Sequence, residues 1–205
     1  MDAGRRSRLT PPERARRVSA SSAVFFWRKL NFLGHDACRL FELADGWRLS
    51  GAAVFMESKR VCQLEYDVVA DGAFRTRSAS VAGFVGRKAI DLRIRRGAHA
   101  RWQVNGRSFP GITGCLDVDL GFTPATNLLA LRRLALKVGQ HAAAPAVYVA
   151  FPRMELTVLP QHYKRISRTE YWCEAPSVGY RGTLRVSPLG AVIMYPGLFE
   201  LLPSR

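Results

Sequence analysis

Acidic residues are scarce in this sequence: its 205 residues include 16 Asp and Glu against 31 Lys and Arg, for a formal net charge of +15. Long apolar runs are lacking as well. The longest, residues 142–151, holds about half of the roughly 20 residues that a membrane-spanning helix needs. Because 48% of the residues are hydrophobic, the chain still has enough apolar side chains for a folded core. These features exclude a mostly disordered chain and predict that no helix crosses a bilayer.

Cysteine is also sparse. The chain has four cysteines: Cys38, Cys62, Cys115 and Cys173. They form no CxxC pair, which argues against a zinc site or thioredoxin-like chemistry, and we expect them to be reduced and packed in the core. The apolar stretch at residues 20–27 is short and is closed by Arg28 and Lys29, unlike a secretory signal. The sequence therefore predicts a cytoplasmic protein with a disordered basic leader, residues 1–22, and a single domain over residues 23–205.

The basic charge is spread over the whole chain. The leader holds six arginines and two acidic residues, and residues 23–205 hold the other 25 basic and 14 acidic residues. A basic surface attracts any polyanion, including nucleic acids and anionic lipid headgroups, so the charge alone does not identify a partner. Zinc-finger spacing, an RNA-binding aromatic consensus and a helix-turn-helix pattern are lacking. We therefore expect no specific nucleic-acid partner. Nucleic-acid binding driven by charge alone is kept as one of three functional hypotheses, and the other two are given at the end of this section.

From residue 24 onward, apolar and polar residues alternate with a period of two, which indicates antiparallel strands. The dipeptides Asp45-Gly46, Asp71-Gly72 and Asn105-Gly106 separate such runs and suit tight hairpin turns. About ten strands follow from this pattern. So many strands in one domain predict an all-β fold, an antiparallel rolled sheet or half-open barrel, because long open edges would aggregate.

One segment, residues 124–138, departs from this period. Its leucines follow no alternation and are mixed with arginines. Thr123 suits the N-cap of a helix, and Pro124 suits the first helical position. We therefore predict one short helical segment that begins at Pro124.

The most informative window is residues 114–134. On an extended strand, Asp117 and Asp119 point to the same side, and alternate residues lie roughly 7 Å apart. Two carboxylates at this spacing suit glycoside hydrolysis or one edge of a metal site. The structural alternative is that both pair with Arg132 and Arg133 and fix the crossing of the strand with the segment that follows.

The other polar residues of this window also have two alternatives each. Thr123, Thr126 and Asn127 either cap a helix and a turn or donate hydrogen bonds to sugar hydroxyls or a headgroup. Arg132 or Arg133 either pairs with the aspartates or binds a phosphate or carboxylate in a two-pronged contact.

Catalytic motifs are lacking in the rest of the chain. It has no GxSxG motif, its four histidines have no paired nucleophile nearby in sequence, and its glycines form no phosphate-binding loop. We expect no cofactor and no metal ion. Residues 195–199 form a proline-glycine turn with aromatic walls, which either closes the end of a strand or contacts a ligand through side chains such as Tyr195.

A resemblance to a known family is carried by four segments: GCLDVDLGFTPATNLLALRRL at 114–134, VAFPR at 149–153, QHYKR at 161–165 and YPGLF at 195–199. The chain resembles the bacterial putative glycolipid-binding family over about residues 25–202. The resemblance implies an all-β rolled sheet similar to the periplasmic lipoprotein carriers, whose half-open barrels shelter acyl chains. Ala130 stands where the family is expected to have a proline. The resemblance further implies a shared polar cluster of Asp117, Asp119, Thr123, Thr126, Asn127, Arg132, Arg133, Gln161 and Tyr163.

Together these observations predict a binding protein, rather than an enzyme, that holds an amphipathic lipid or glycolipid in the interior of the β-roll. The residues predicted to bind this ligand are Asp117, Asp119, Thr126, Asn127, Arg132, Arg133, Gln161, Tyr163 and Tyr195. The alternative is a hydrolase that acts on a glycosylated or esterified lipid through Asp117 and Asp119.

Overall fold

The computed structural model describes residues 22–97 and 101–203, and within them it contains 17 β-strands, one α-helix and a short 3-10 helix at Pro176–Val178. The predicted basic leader, residues 1–22, lies outside the described residues except for Ser22, the first residue of a strand. Neither helix of the described part is long and apolar enough to cross a membrane.

Fourteen of the described strands form one antiparallel sheet. In the order in which they lie side by side, they are β10 (His141–Ala143), β13 (His162–Arg165), β14 (Glu170–Ala175), β15 (Tyr180–Val186), β16 (Val192–Tyr195), β17 (Phe199–Leu201), β1 (Ser22–Lys29), β2 (Leu33–Leu43), β3 (Gly46–Glu57), β4 (Arg60–Asp71), β5 (Thr76–Val85), β6 (Lys88–Arg96), β7 (Trp102–Val104) and β8 (Arg107–Ser108). In the described residues its edge strands β10 and β8 do not pair with each other, so the sheet is not closed into a barrel. The predicted all-β antiparallel fold with one short helix is confirmed.

A smaller sheet and the helix pack against the inner face of the large sheet. The small sheet consists of β9 (Asp117–Leu120), β11 (Ala146–Ala150) and β12 (Glu155–Leu159), and β9 and β11 run parallel. The helix, α1, spans Asn127–Leu134 and connects β9 to β10. Apolar side chains from all these parts form one buried cluster, which includes Leu64, Val81, Leu120, Leu128 and Val149.

This packing bears on where a ligand could lie. The hypothesis placed the apolar part of a ligand inside the roll, next to the inner face of the sheet. The structure fills that region with side chains of β9, β11 and α1. The ligand site proposed below therefore lies outside this core, where the C-terminal end of α1 meets the large sheet.

The alternation that predicted the strands matches their burial. On β4, the apolar residues Cys62, Leu64 and Val68 are buried, and the polar residues Gln63 and Glu65 between them are exposed. All four cysteines are buried and free, as expected. One face of this strand therefore lies in the core and the other in water.

Turns occur at all three predicted places, but two differ from the prediction. The β2–β3 loop consists of Ala44 and Asp45, and Gly46 is already the first residue of β3. Asn105-Gly106 joins β7 to β8 with both residues at positive φ, as a tight hairpin turn requires. After Asp71, by contrast, the chain makes a four-residue loop in which Phe74 has the positive φ. The Asp71 carboxylate stabilises this loop because it accepts hydrogen bonds from the backbone N–H groups of Ala73 and Arg75.

The helix begins later than predicted. Thr126, not Thr123, precedes its first residue, and Pro124 lies in the turn before it. The Thr123 hydroxyl instead accepts a hydrogen bond from the backbone N–H of Ala125, 3.1 Å away. This is the bond that an N-cap threonine makes, but the backbone N–H groups of Asn127 and Leu128 donate to the carbonyls of Pro124 and Ala125, three residues earlier rather than four. The segment before α1 is therefore a 3-10-like turn that Thr123 caps.

Because Gly51 on β3 has no side chain, the Tyr66 side chain of β4 can extend over β3 and reach Asp36 on β2. A Cβ atom at this position would lie 2.5 Å from the Cζ and Oη atoms of Tyr66. We therefore expect Gly51→Ala to destabilise the fold by about 1–3 kcal/mol, the usual cost of overpacking a core, measured by urea unfolding. Gly72→Ala is the control, because a Cβ there meets nothing within 4 Å. Equal stability of the two variants would contradict the expectation.

Candidate functional site

The first residue of β9, Asp117, forms a two-pronged ion pair with Arg133 of α1. Arg133 Nε lies 3.0 Å from Oδ1, and Nη2 lies 2.6 Å from Oδ2. The Asp117 side chain is 2% exposed and the Arg133 side chain 15%. Burial raises the pKa of Asp117, while the charges of Arg133 and Arg96 act in the opposite direction. For Asp117, the structural alternative from the sequence, a carboxylate paired with an arginine, is therefore confirmed.

Arg132 points away from this ion pair although it precedes Arg133 in sequence. Successive residues of a helix point about 100° apart, so the two side chains leave α1 in different directions. The Arg132 guanidinium lies 4.9 Å from the ring centroid of Phe74, and its side chain is exposed. The two arginines therefore have separate surroundings.

Four of the other predicted residues form a chain of hydrogen bonds. The Asn127 side-chain amide donates to the Tyr163 hydroxyl at 2.9 Å, and this hydroxyl donates to Gln161 Oε1 at 3.0 Å. Gln161 in turn hydrogen-bonds the carboxyl group of Asp119. The chain connects α1, β13 and β9, so the predicted residues hold the helix, the large sheet and the small sheet together.

The carboxyl group of Asp119 differs from that of Asp117 because no arginine pairs with it in the described residues. Burial raises the pKa of Asp119 to about 7, the negative charge of Asp117 raises it further, and the hydrogen bond with Gln161 acts against both. The Asp119 side chain is half-buried. The protonated form of this group is therefore more favoured than in an exposed aspartate.

Tyr195 and Thr126, the last two predicted residues, make structural contacts. The ring of Tyr195 packs edge-on against Tyr180 with centroids 4.7 Å apart, at the end of β16. Thr126 Oγ1 accepts a hydrogen bond from the backbone N–H of Leu120 at 3.3 Å. Both side chains therefore stabilise the region around the hydrogen-bond chain.

A second buried polar network, around Asp36, was not predicted from the sequence. Asp36 on β2 accepts hydrogen bonds from the Tyr66 hydroxyl, at 3.0 and 3.1 Å, and from the Thr123 hydroxyl. Burial raises the pKa of Asp36 to about 7, although these hydrogen bonds act in the opposite direction. The available signal was the position of Asp36 in the alternation, since it lies on the same side of β2 as the buried Cys38 and Leu40.

Lys29, the last residue of β1, lies near this network. Its ammonium group donates to the backbone carbonyl of Phe122 at 2.9 Å and lies 4.3 Å and 4.2 Å from the ring centroids of Phe55 and Phe199. Burial lowers the pKa of Lys29 to about 8, although the Asp36 carboxylate acts in the opposite direction. A lysine on the inward side of a strand was the sequence signal for this second charged group.

A half-open cleft of about 540 Å³ lies where the C-terminal end of α1 meets the large sheet. Three arginines line it: Arg132 from α1, Arg165 from β13 and Arg168 from the turn that follows β13. Phe74 and Val186 are among its apolar walls. Arg132 is thus the one predicted ligand-binding residue that lines this cleft.

Arg165 is held rigidly in the wall of the cleft. Its guanidinium donates to the carbonyl oxygens of Leu136, at 2.7 Å, and Arg168, at 3.0 Å, and it lies 5.4 Å from the ring centroid of Tyr171. Arg132 and Arg168 are exposed, and in the described residues neither forms an ion pair. The cleft therefore combines one fixed cation with two that are available to an anion.

Comparison with known proteins identifies the family. A family model described as "Putative glycolipid-binding" matches residues 24–201. The chain belongs to the putative glycolipid-binding family. A crystal structure of a DUF1089 family protein from Pseudomonas aeruginosa is similar, with a TM-score of 0.73 and 28% sequence identity over 96% of this chain and 100% of that chain. A search of the curated proteins found no match.

The structure separates the predicted site of this member of the putative glycolipid-binding family into distinct parts. Six of the nine predicted residues form the ion pair and the hydrogen-bond chain, Thr126 and Tyr195 make separate structural contacts, and Arg132 lines the cleft. The Asp117 carboxylate is already paired with Arg133, so β9 does not offer two available carboxylates. The hydrolase alternative therefore has no support from this geometry.

Proposed function

We propose that the protein binds an anionic amphipathic lipid or glycolipid, with the headgroup in the arginine-lined cleft and the apolar part against the cleft's hydrophobic wall. The observation that carries this proposal is the cleft itself, in which Arg132, Arg165 and Arg168 lie next to Phe74 and Val186. Its volume, about 540 Å³, is within the range of small-molecule sites. The family description, putative glycolipid-binding, supports the same class of ligand.

The arginines give the cleft its selectivity for anions. A guanidinium presents a planar fork of donors that matches a phosphate, sulfate or carboxylate, and such charge-assisted hydrogen bonds are stronger than neutral ones. Arg132 already lies over the ring of Phe74, which limits the orientations of its guanidinium. An anionic headgroup would therefore meet cations that need little further ordering.

The buried polar region supports the cleft from behind. The ion pair between Asp117 and Arg133 and the hydrogen bond between Asn127 and Tyr163 attach both ends of α1 to the two sheets. Because Arg132 lies on this helix, these contacts fix where its side chain begins. We therefore assign Asp117, Asn127 and Arg133 a positioning role rather than direct contact with the ligand.

The test is binding of a monomeric anionic lipid to the full chain. Isothermal titration with dihexanoylphosphatidylglycerol below its micelle concentration is expected to show binding that Arg132→Ala weakens by about tenfold or more, since a hydrogen bond to a charged group contributes about 1.5–3 kcal/mol. Arg107→Ala is the control, because Arg107 is also an exposed arginine and lies on β8, outside the cleft. Equal affinity of the two variants, or no binding by the parent, would overturn the proposal.

Several narrower statements belong to the same proposal. We infer a cytoplasmic location, for which the four free and buried cysteines are the support. A single domain from residue 23, preceded by a disordered basic leader, stays a prediction. So do the absence of enzymatic activity and of a specific nucleic-acid partner.

A further inference from the structure

Large apolar side chains are exposed at one end of the large sheet. Leu33 on β2, Met56 on β3 and Val61 on β4 are direct neighbours in the strand register, and they point away from the core. Their exposed fractions are 77%, 43% and 51%. We name these three residues the apolar row. Single exposed apolar residues are common, but a contiguous group across three strands marks an interaction surface.

Basic side chains border the apolar row. The β3–β4 turn contains Lys59, and the β5–β6 turn contains Arg87, which is followed by Lys88. The second turn adjoins the row, because the backbone N–H of Gly86 donates to the carbonyl of Val61 at 2.9 Å. All three basic side chains are exposed, and none forms an ion pair in the described residues. We name Lys59, Arg87 and Lys88 the basic rim.

Two acidic residues of the large sheet at this end are paired with arginines. Glu57 pairs with Arg60, and Glu200 pairs with Arg28 at 2.6 Å. The basic rim therefore gives this end an excess of positive charge beside exposed apolar side chains. This combination suits the interface of an anionic bilayer, where apolar side chains enter the headgroup region and cations contact the phosphates.

We propose that the apolar row and the basic rim form a surface that docks on an anionic lipid bilayer. Charge complementarity favours this occupant over a second copy of the chain, because a symmetric dimer through this surface would bring the two basic rims together. The surface is distinct from the arginine-lined cleft. Phe74, in the wall of the cleft, lies in the β4–β5 loop, at the opposite end of β4 from Lys59.

The experiment is sedimentation of the full chain with vesicles of phosphatidylcholine, with or without phosphatidylglycerol. Vesicles that contain phosphatidylglycerol are expected to retain the protein, and those of pure phosphatidylcholine to retain much less. Added salt should weaken the retention, because it screens exposed charges. Two double variants should each lower the vesicle partition coefficient by about tenfold. One is Leu33→Ser with Val61→Ser, and the other is Lys59→Asn with Arg87→Gln. Asn suits position 59 because it tolerates the positive φ there.

Control variants test whether a loss of vesicle binding is specific to the apolar row and the basic rim. Val138→Ser removes an apolar side chain that is 60% exposed elsewhere, and Arg107→Gln with Arg181→Gln removes the same charge as the rim variant. Both controls should bind vesicles as the parent does. Because every variant keeps residues 1–21, unchanged binding of the row and rim variants would assign membrane binding to another part of the chain and overturn the proposal.

The outcome is independent of the proposed ligand cleft. Arg132→Ala should leave vesicle binding intact, and the row and rim variants should still bind monomeric dihexanoylphosphatidylglycerol. Loss of vesicle binding in Arg132→Ala, with the row and rim variants unaffected, would show that lipid contact runs through the cleft and would overturn the docking surface. Unfolding midpoints equal to that of the parent would show that the row and rim variants are folded, as expected for exposed positions.

Discussion

Asp117→Ala is expected to lower the free energy of unfolding by about 3–5 kcal/mol, the usual cost of removing one partner of a buried ion pair. The substitution leaves the Arg133 guanidinium, with a side chain only 15% exposed, in a region where it has lost its carboxylate. Burial already works against a charge at this position, since it raises the pKa of Asp117 despite the nearby Arg133. Urea unfolding with linear extrapolation measures the loss.

Two further variants decide whether the buried ion pair is the cause. Asp91→Ala breaks the pair between Asp91 and Arg93, whose side chains are 69% and 76% exposed, and should cost less than about 1 kcal/mol. Asp117→Leu combined with Arg133→Met removes both charges and should recover most of the lost stability. If Asp117→Ala costs no more than Asp91→Ala, the ion pair does not hold α1 in place.

The double variant Asp117→Leu with Arg133→Met also distinguishes the effect of the ion pair on stability from its effect on ligand binding. The double variant keeps Arg132 and the other residues of the cleft. If it is as stable as the parent and yet binds dihexanoylphosphatidylglycerol less well, the orientation that Asp117 gives to α1 matters for the ligand. If binding is unchanged, packing of the apolar side of α1, which includes Leu128 and Leu129, is enough to position Arg132.

The sheet could be predicted from the sequence because its long strands each bury one face. On β4 and β6 the alternation of apolar and polar residues runs over most of the strand, which leaves little doubt about the period. The strands β8, β10 and β17 have only two or three residues, too few to show an alternation. The alternation therefore predicts about ten strands, whereas the described residues contain 17.

The composition of the polar cluster could be predicted, but its arrangement could not. The sequence pattern and family resemblance named Asp117, Asn127, Arg133 and Gln161, which the structure brings together. Which of the adjacent arginines faces Asp117 depends on where the helix begins, and the sequence predicted this start at Pro124, three residues before Asn127. Helix boundaries are set by local side-chain contacts with the backbone, and such contacts leave only a weak signal in a sequence.

The network around Asp36 was missed for a different reason. Its members, Lys29, Asp36, Tyr66 and Thr123, lie on three strands and a turn that are far apart in the sequence. Long-range pairings of this kind become visible only when the register of the sheet is known. The role of Gly51 has the same origin, because it depends on the Tyr66 side chain of the neighbouring strand.

The same network predicts that the protein becomes less stable as the pH rises from about 4 to about 7. In the unfolded chain Asp36 ionises near its ordinary value of 3.8, whereas in the fold burial raises its pKa to about 7. Between these values the folded state binds the extra proton, so the stability that Asp36 contributes is present at low pH and lost as the pH passes the folded pKa. At about 1.4 kcal/mol per pKa unit, Asp36 alone accounts for a fall of about 4 kcal/mol between pH 4 and pH 8.

Asp36→Asn is the decisive variant for this pH dependence, measured by urea unfolding at intervals from pH 4 to pH 8. The amide is uncharged and can still accept the hydrogen bond from Tyr66, so the variant should lose the contribution of Asp36 and be more stable than the parent at pH 8. A smaller fall should persist, because the pKa of Asp119 is also raised to about 7. Asp91→Asn, at an exposed position, should keep the full fall. If Asp36→Asn shows the same fall in stability from pH 4 to pH 8 as the parent, Asp36 is ionised in the fold, since a buried aspartate that stays charged adds no such dependence.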